Sequence, residues 1–240
     1  MEALLNALAA PSAFSSDFKR LKAFLPFVVA FALSLLSTIL ITPITMEFAA
    51  KQSTSLTTPG TREYSIFYGF AVGGQIIALL VKWTFATFFL GTLLQFANQS
   101  KQQDNISASF EEVPSVEYGG VLQLVAYSGV ILALEGVVKA FVVIVQNHRH
   151  ALITVQDLDV SIGLNFFLQK AHIGAFLYAF LGEINLITLW GYGVLAYWIV
   201  SIYRIQRGVA LSAVGSLWLV CTLLVASVQA FSANMIGAAR

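Results

Sequence analysis

The sequence predicts an all-α fold, a polytopic membrane bundle of five transmembrane helices, and three observations carry that prediction. Of 240 residues, 58% are hydrophobic and 10% charged, against about a quarter charged in soluble domains. The mean hydropathy is +0.80. The apolar residues fall into separate runs, each long enough to cross a hydrocarbon core, which takes about 20 helical residues. Because lipid offers no hydrogen bonds to a bare backbone, such runs are read as helices. One domain over residues 1–240 is expected. The formal net charge of +1 leaves no clustered basic surface, so nucleic acid is not expected as a partner.

Residues 1–23 read as an interfacial, amphipathic helix. Phe14, Phe18, Leu21 and Leu25 share one helical face, while Asp17, Lys19, Arg20 and Lys22 lie off it, and Ser12 after Pro11 suits an N-cap. Glu2 and the short apolar patch before Pro11 are unlike a secretory signal, so the first span is expected to act as its own insertion signal. That span covers about 24–45 and carries no charge; Pro43 marks where it ends or kinks. Glu47 to Glu63, with Pro59 and Gly60, reads as a polar loop.

The second span, 66–97, holds Gln75 and Lys82 inside an apolar run. Gly69 and Gly73 form a GxxxG pair, a spacing that lets two helix backbones approach closely. An acidic loop with Pro114 leads to the third span, 118–147, with Glu135 and Lys139 well inside it. A charged residue at a helix centre costs roughly 2.5–3.5 kcal/mol on insertion scales, so such groups turn toward protein or a wet cavity and find partners. Glu135 and Lys139 are four residues apart and share a face. If the second and third spans form a hairpin centred near residue 107, Lys82 is level with about residue 132, within roughly 4.5 Å of Glu135 along the axis. An intramembrane cluster of Lys82, Glu135 and Lys139 follows, with Gln75 beside it. It serves either as a packing and register device or as a transport centre.

His148, Arg149 and His150 read as a solvated basic turn, since no further ligand follows at metal-binding spacing. Residues 164–181 are apolar and aromatic but carry Gln169, Lys170 and His172, which suits an interfacial or re-entrant helix before the fourth span. The fourth span, 184–203, carries Trp190 and Tyr203 near its ends as an aromatic belt would. Gly191 to Ala196 fits GxGxxA in letters, but a nucleotide fingerprint needs a strand before it. A tight basic turn with Arg204 and Arg207 leads to the fifth span, 209–232, where Cys221 is read as a small buried hydrophobe. Lys19, Arg20, Lys22, Arg204 and Arg207 flank short segments on one side, which the positive-inside rule assigns to the cytoplasm together with the N-terminus.

Two stretches resemble a known family. The opening Ala10-Pro-Ser-Ala-Phe-Ser-Ser-Asp-Phe-Lys-Arg-Leu-Lys, running into Leu25-Pro-Phe, resembles the start of bacterial Yip1-family proteins. Leu181-Gly-Glu-Ile-Asn-Leu-Ile-Thr-Leu-Trp190, followed by a helix, the Arg204/Arg207 turn, Val209-Ala-Leu and a last span, is similar to that family's closing half. The resemblance implies a five-helix integral membrane fold in a bacterial inner membrane with a cytoplasmic N-terminus. It also implies action through binding lipids and other membrane proteins, as an accessory subunit of an ABC-type exporter or trafficking system. The segment before the first span is short beside those of eukaryotic members, which argues against GTPase binding.

No catalytic, metal or cofactor motif is read in the chain. Ser128 beside Gly129 has no histidine base at matching depth. The expected function is therefore a non-catalytic membrane protein acting through partners. The alternative is a small transporter or channel built on the Lys/Glu cluster.

Overall fold

In a computed structural model of the chain, the structure describes residues 24–52, 62–105, 115–149, 160, 162–168 and 173–238. Among them the order is α1 (Phe24–Gln52), α2 (Arg62–Asn105), α3 (Tyr118–His148), a 3-10 turn (Leu164–Phe167), α4 (Ala175–Gly182), α5 (Leu186–Tyr203) and α6 (Arg207–Ala238), with no strand. Five stretches are long and apolar enough to cross a membrane: Phe24–Glu47, Tyr68–Gln99, Tyr118–His148, Leu186–Tyr203 and Arg207–Phe231. The protein is an all-α membrane bundle. The expected N-terminal helix, with Lys19, Arg20 and Lys22, lies outside the described residues.

The bundle is organised around α3, which packs against α1, α2 and α5, while α6 closes the far side against α2, α4 and α5. Helix α1 runs parallel to α3, with Ser37 against Gly136. Helix α2 runs antiparallel to α3, with Trp83 against Gly129 and Tyr118 against Gly91, where a methyl group would fall 2.6 Å from the Tyr118 ring. At the hairpin mouth Gln95 Nε2 donates to the Val116 carbonyl at 3.3 Å. Helix α5 descends along α3 through Gly191 against Leu132 and an edge-on contact of Trp198 with Tyr127, centroids 6.4 Å apart. Small residues at these crossings let the backbones close, and dispersion between packed surfaces is what holds helices together in lipid. The resulting core holds Leu90, Leu124, Ile131, Leu195, Trp198 and Leu217. Phe70, Phe88, Phe141 and Phe231 point outward, as lipid-facing residues do.

Several boundaries differ from the sequence-based expectation. Helix α1 continues through Pro43. On either side of the missing proline N–H, the hydroxyls of Thr42 and Thr45 donate to the carbonyls of Thr38 and Ile41 at 2.6 and 3.1 Å, a local support that spanning helices use around proline. Helix α2 is 44 residues long, and its polar C-terminal turns run on to Asn105 where a loop was expected, because the Gln and Lys residues there favour helix. The stretch 164–181 is not one helix. It opens with the 3-10 turn and closes with α4, and Leu164 N donates to the Ile184 carbonyl at 3.1 Å. Its two ends therefore meet, as an interfacial or re-entrant segment requires and a crossing forbids.

The Gly69/Gly73 pair also departs from expectation. A methyl group on either glycine would meet nothing within 4 Å. Among the described residues the close approaches between long helices fall instead at Gly91, Gly129, Gly136 and Gly191. The reason is register: α2 meets α3 over its C-terminal half, while Gly69 and Gly73 belong to turns beyond that contact.

Candidate functional site: a polar centre at bilayer depth

Glu135 lies 17 residues from the start of α3 and 13 from its end, about 25 Å and about 20 Å respectively, so it sits well inside the apolar run. The residue is 8% exposed. Its Oε1 accepts from Lys139 Nζ at 2.7 Å one turn later on the same helix. Its Oε2 accepts from the Thr188 hydroxyl, also at 2.7 Å, and the Asn185 amide hydrogen-bonds the same carboxylate. A charged acceptor in low dielectric strengthens each of these bonds.

Thr188 and Asn185 are held by the break between α4 and α5. Asn185 caps α5, its side chain accepting from Thr188 N at 2.8 Å, and its Nδ2 donates to the Gly182 carbonyl at 3.2 Å. The cap satisfies a donor that the helix start would otherwise leave bare. Gly182 is pressed by the buried Asn165, and Gly163 abuts the Gly182 carbonyl so closely that any side chain there would collide with backbone. The re-entrant segment thus locks the start of α5 at the level of Glu135. Asn165 is 4% exposed, and its Oδ1 is among the buried polar atoms without a hydrogen-bond partner.

Glu183, in the same break, adds a second acid. Burial pushes its carboxyl above the usual carboxylate range; Lys139 pulls it back, Glu135 pushes the same way as burial, and Lys82 opposes. Sequence reasoning left Glu183 between the 164–181 segment and the span 184–203 and gave it no role. The available signal was its position two residues before the Asn cap in an otherwise apolar segment.

The structure brings Glu135 and Lys139 together and leaves Lys82 apart. With Trp83 opposite Gly129 and Gly91 opposite Tyr118, the hairpin is centred near residue 105 rather than 107, so Lys82 is level with about residue 128 and roughly 10.5 Å short of Glu135 along the axis. Lys82 is exposed, and its charge is felt at Glu183 and at Cys221. Cys221 faces Tyr192, which hydrogen-bonds it. The Gln75 side chain lies outside the described residues. Arg204 and Arg207 are both exposed at the α5–α6 turn; Arg204 takes the left-handed conformation there, with φ 52°.

On the α1 side of the ion pair lies a cavity of about 480 Å³. Its α1 wall carries Ser34, Ser37, Thr38, Thr42 and Thr45; its α3 wall is Leu132, Ala133 and Gly136, with Lys139 at the edge. The Lys139 side chain is 32% exposed. Sequence reasoning passed over these hydroxyls. Their signal was the spacing 34, 38, 42 and 45, one face of a helix in a charge-free run. Among the described residues no group of three His, Cys, Asp or Glu side chains could hold a metal ion.

No protein-family model, curated protein or solved structure matches the chain.

Proposed function

We propose that this chain is a small transporter or channel-type membrane protein whose working centre is the Glu135–Lys139 pair. The observation that carries this reading is positional. The pair forms a partition at bilayer depth, with a hydroxyl-lined cavity against Lys139 on one side. On the other side, the broken α4–α5 junction holds Glu135 through Thr188. Ionised groups inside a bundle face its interior or a wet cavity and mark solute and ion pathways, and interrupted helices recur in transporter binding sites. In this mechanism a solute enters the cavity beside Lys139, while Thr188 and Asn185 hold the Glu135 carboxylate on the side of the junction. Reconstituted in liposomes, Glu135→Gln should abolish solute-driven flux while leaving helix content and detergent monodispersity unchanged. Unfolding without a specific flux defect would instead make the pair a packing device.

A second reading is the partner-binding one, in which the chain is a Yip1-like accessory subunit of an ABC-type exporter in a bacterial inner membrane. It is favoured by the open face of α2 at Gly69 and Gly73 and by the place of Leu181–Trp190, the stretch resembling that family, at the α4–α5 junction. The N-terminus is then cytoplasmic, on the side of Arg204 and Arg207. Recovery of lipid but no protein partner after mild detergent extraction and crosslinking would exclude this reading.

A further inference from the structure

We infer that the α1–α3 cavity is a binding site for a neutral, hydroxyl-bearing carbon chain, a free polyol or the glycerol-type headgroup of a lipid. This rests on the transporter reading and names the ligand class of its site. The volume of about 480 Å³ falls within the roughly 300–1,000 Å³ of small-molecule sites.

Charge decides the first half of the argument. Among the described residues the only ionised side chain lining the cavity is Lys139, and Glu135 neutralises it at 2.7 Å. An anion gains no net charge there, and a cation meets the ammonium first. The hydroxyls decide the second half. Ser37 and Thr38 donate to the Ser34 carbonyl at 2.8 and 2.9 Å, Thr42 to Thr38 and Thr45 to Ile41. With their protons committed to the helix backbone, these side chains offer oxygen lone pairs to the cavity. A row of acceptors repels an anion a second time and selects a ligand that brings O–H donors. The opposite wall, Leu132, Ala133 and Gly136, is apolar, and so fits the C–H face of the same molecule. Water satisfies the first wall only.

Saturation-transfer NMR on the full-length protein in deuterated detergent tests this, with sorbitol in one arm and dioctanoylglycerol in the other. Either arm giving a signal supports the ligand class, and which one responds identifies the source. Thr38→Val/Thr42→Val keeps side-chain shape and removes two acceptors, so it should weaken binding at least about tenfold, the change two neutral hydrogen bonds produce. Ala133→Leu, which fills the cavity and spares every hydroxyl, should abolish the signal and guards against misfolding of the first variant. Transfer to neither probe, equal transfer to wild type and both variants, or salt-sensitive binding of inorganic phosphate would each overturn the inference. Glu135-dependent flux of some other solute would in that case leave the transporter reading standing, whereas loss of both would remove the two together.

Discussion

The Thr188 hydroxyl donates to Glu135 Oε2 at 2.7 Å across 53 residues of chain, and this one bond ties the start of α5 to the middle of α3. Both residues are buried, so the bond is shielded from competing water. Thr188→Val removes it at constant volume and should destabilise the protein by about 1.5–3 kcal/mol, the range for a hydrogen bond to a charged group. Thr188→Ser should retain most of that. Reversible denaturation in mixed micelles, compared across the three proteins, measures the difference.

The Glu135–Lys139 pair should behave as a unit. Removing Lys139 leaves the buried Glu135 charge without its cation, at a cost of about 3–5 kcal/mol. Removing Glu135 leaves a Lys139 that is 32% exposed and costs less, and removing both with apolar replacements of similar size is milder than removing Lys139 alone. A double-mutant cycle of Glu135→Leu and Lys139→Met should therefore give a double variant more stable than Lys139→Met alone. Additive losses would show that the two groups do not depend on each other.

Glycine substitutions should separate two halves of the molecule. Gly163→Ala places a methyl against the Gly182 carbonyl and should open the Leu164–Ile184 closure, exposing the re-entrant segment to limited proteolysis. Gly69→Ala and Gly73→Ala meet nothing within 4 Å and should be neutral or stabilising by up to about 1 kcal/mol each through helix propensity. A large loss at Gly69 or Gly73 in the isolated, monomeric protein would contradict the packing described.

Glu183 should impose a pH dependence of definite sign. A carboxyl raised by burial favours its protonated form in the folded state. Its contribution to stability is then full below the ordinary pKa of 4.5 and is lost as pH rises through the raised value. The charges that face it are Lys139, Glu135 and Lys82. Glu183→Gln fixes the neutral form, so its melting temperature at pH 7 should equal or exceed the wild type's, and the decline between acid and neutral pH should flatten. A variant that melts lower at pH 7 would mean that Glu183 is held ionised by the lysines.

Segments and depths were legible in the chain itself. Long apolar runs and polar gaps set the five spans, because transfer into hydrocarbon penalises each residue independently of its neighbours. The i,i+4 spacing placed Lys139 on Glu135's face, since helix geometry is local. Lys82 shows where that kind of reasoning stops. Its distance from Glu135 depends on hairpin register, and an offset of about two residues in the centre moves one helix past the other by several ångströms.

The amino-acid order alone determined that the protein is a helical membrane bundle, roughly where it crosses, and which charges lie at depth; these follow from hydropathy and from the fixed pitch of one helix. Tertiary structure decided which helices touch. It set Thr188 and Asn185 against Glu135, brought Glu183 into range of both lysines, turned the α1 hydroxyls toward α3, and left Gly69 and Gly73 without a neighbour among the described residues. Those outcomes arise from close packing between segments far apart in sequence, where side-chain shapes choose the register, and no local pattern encodes that choice.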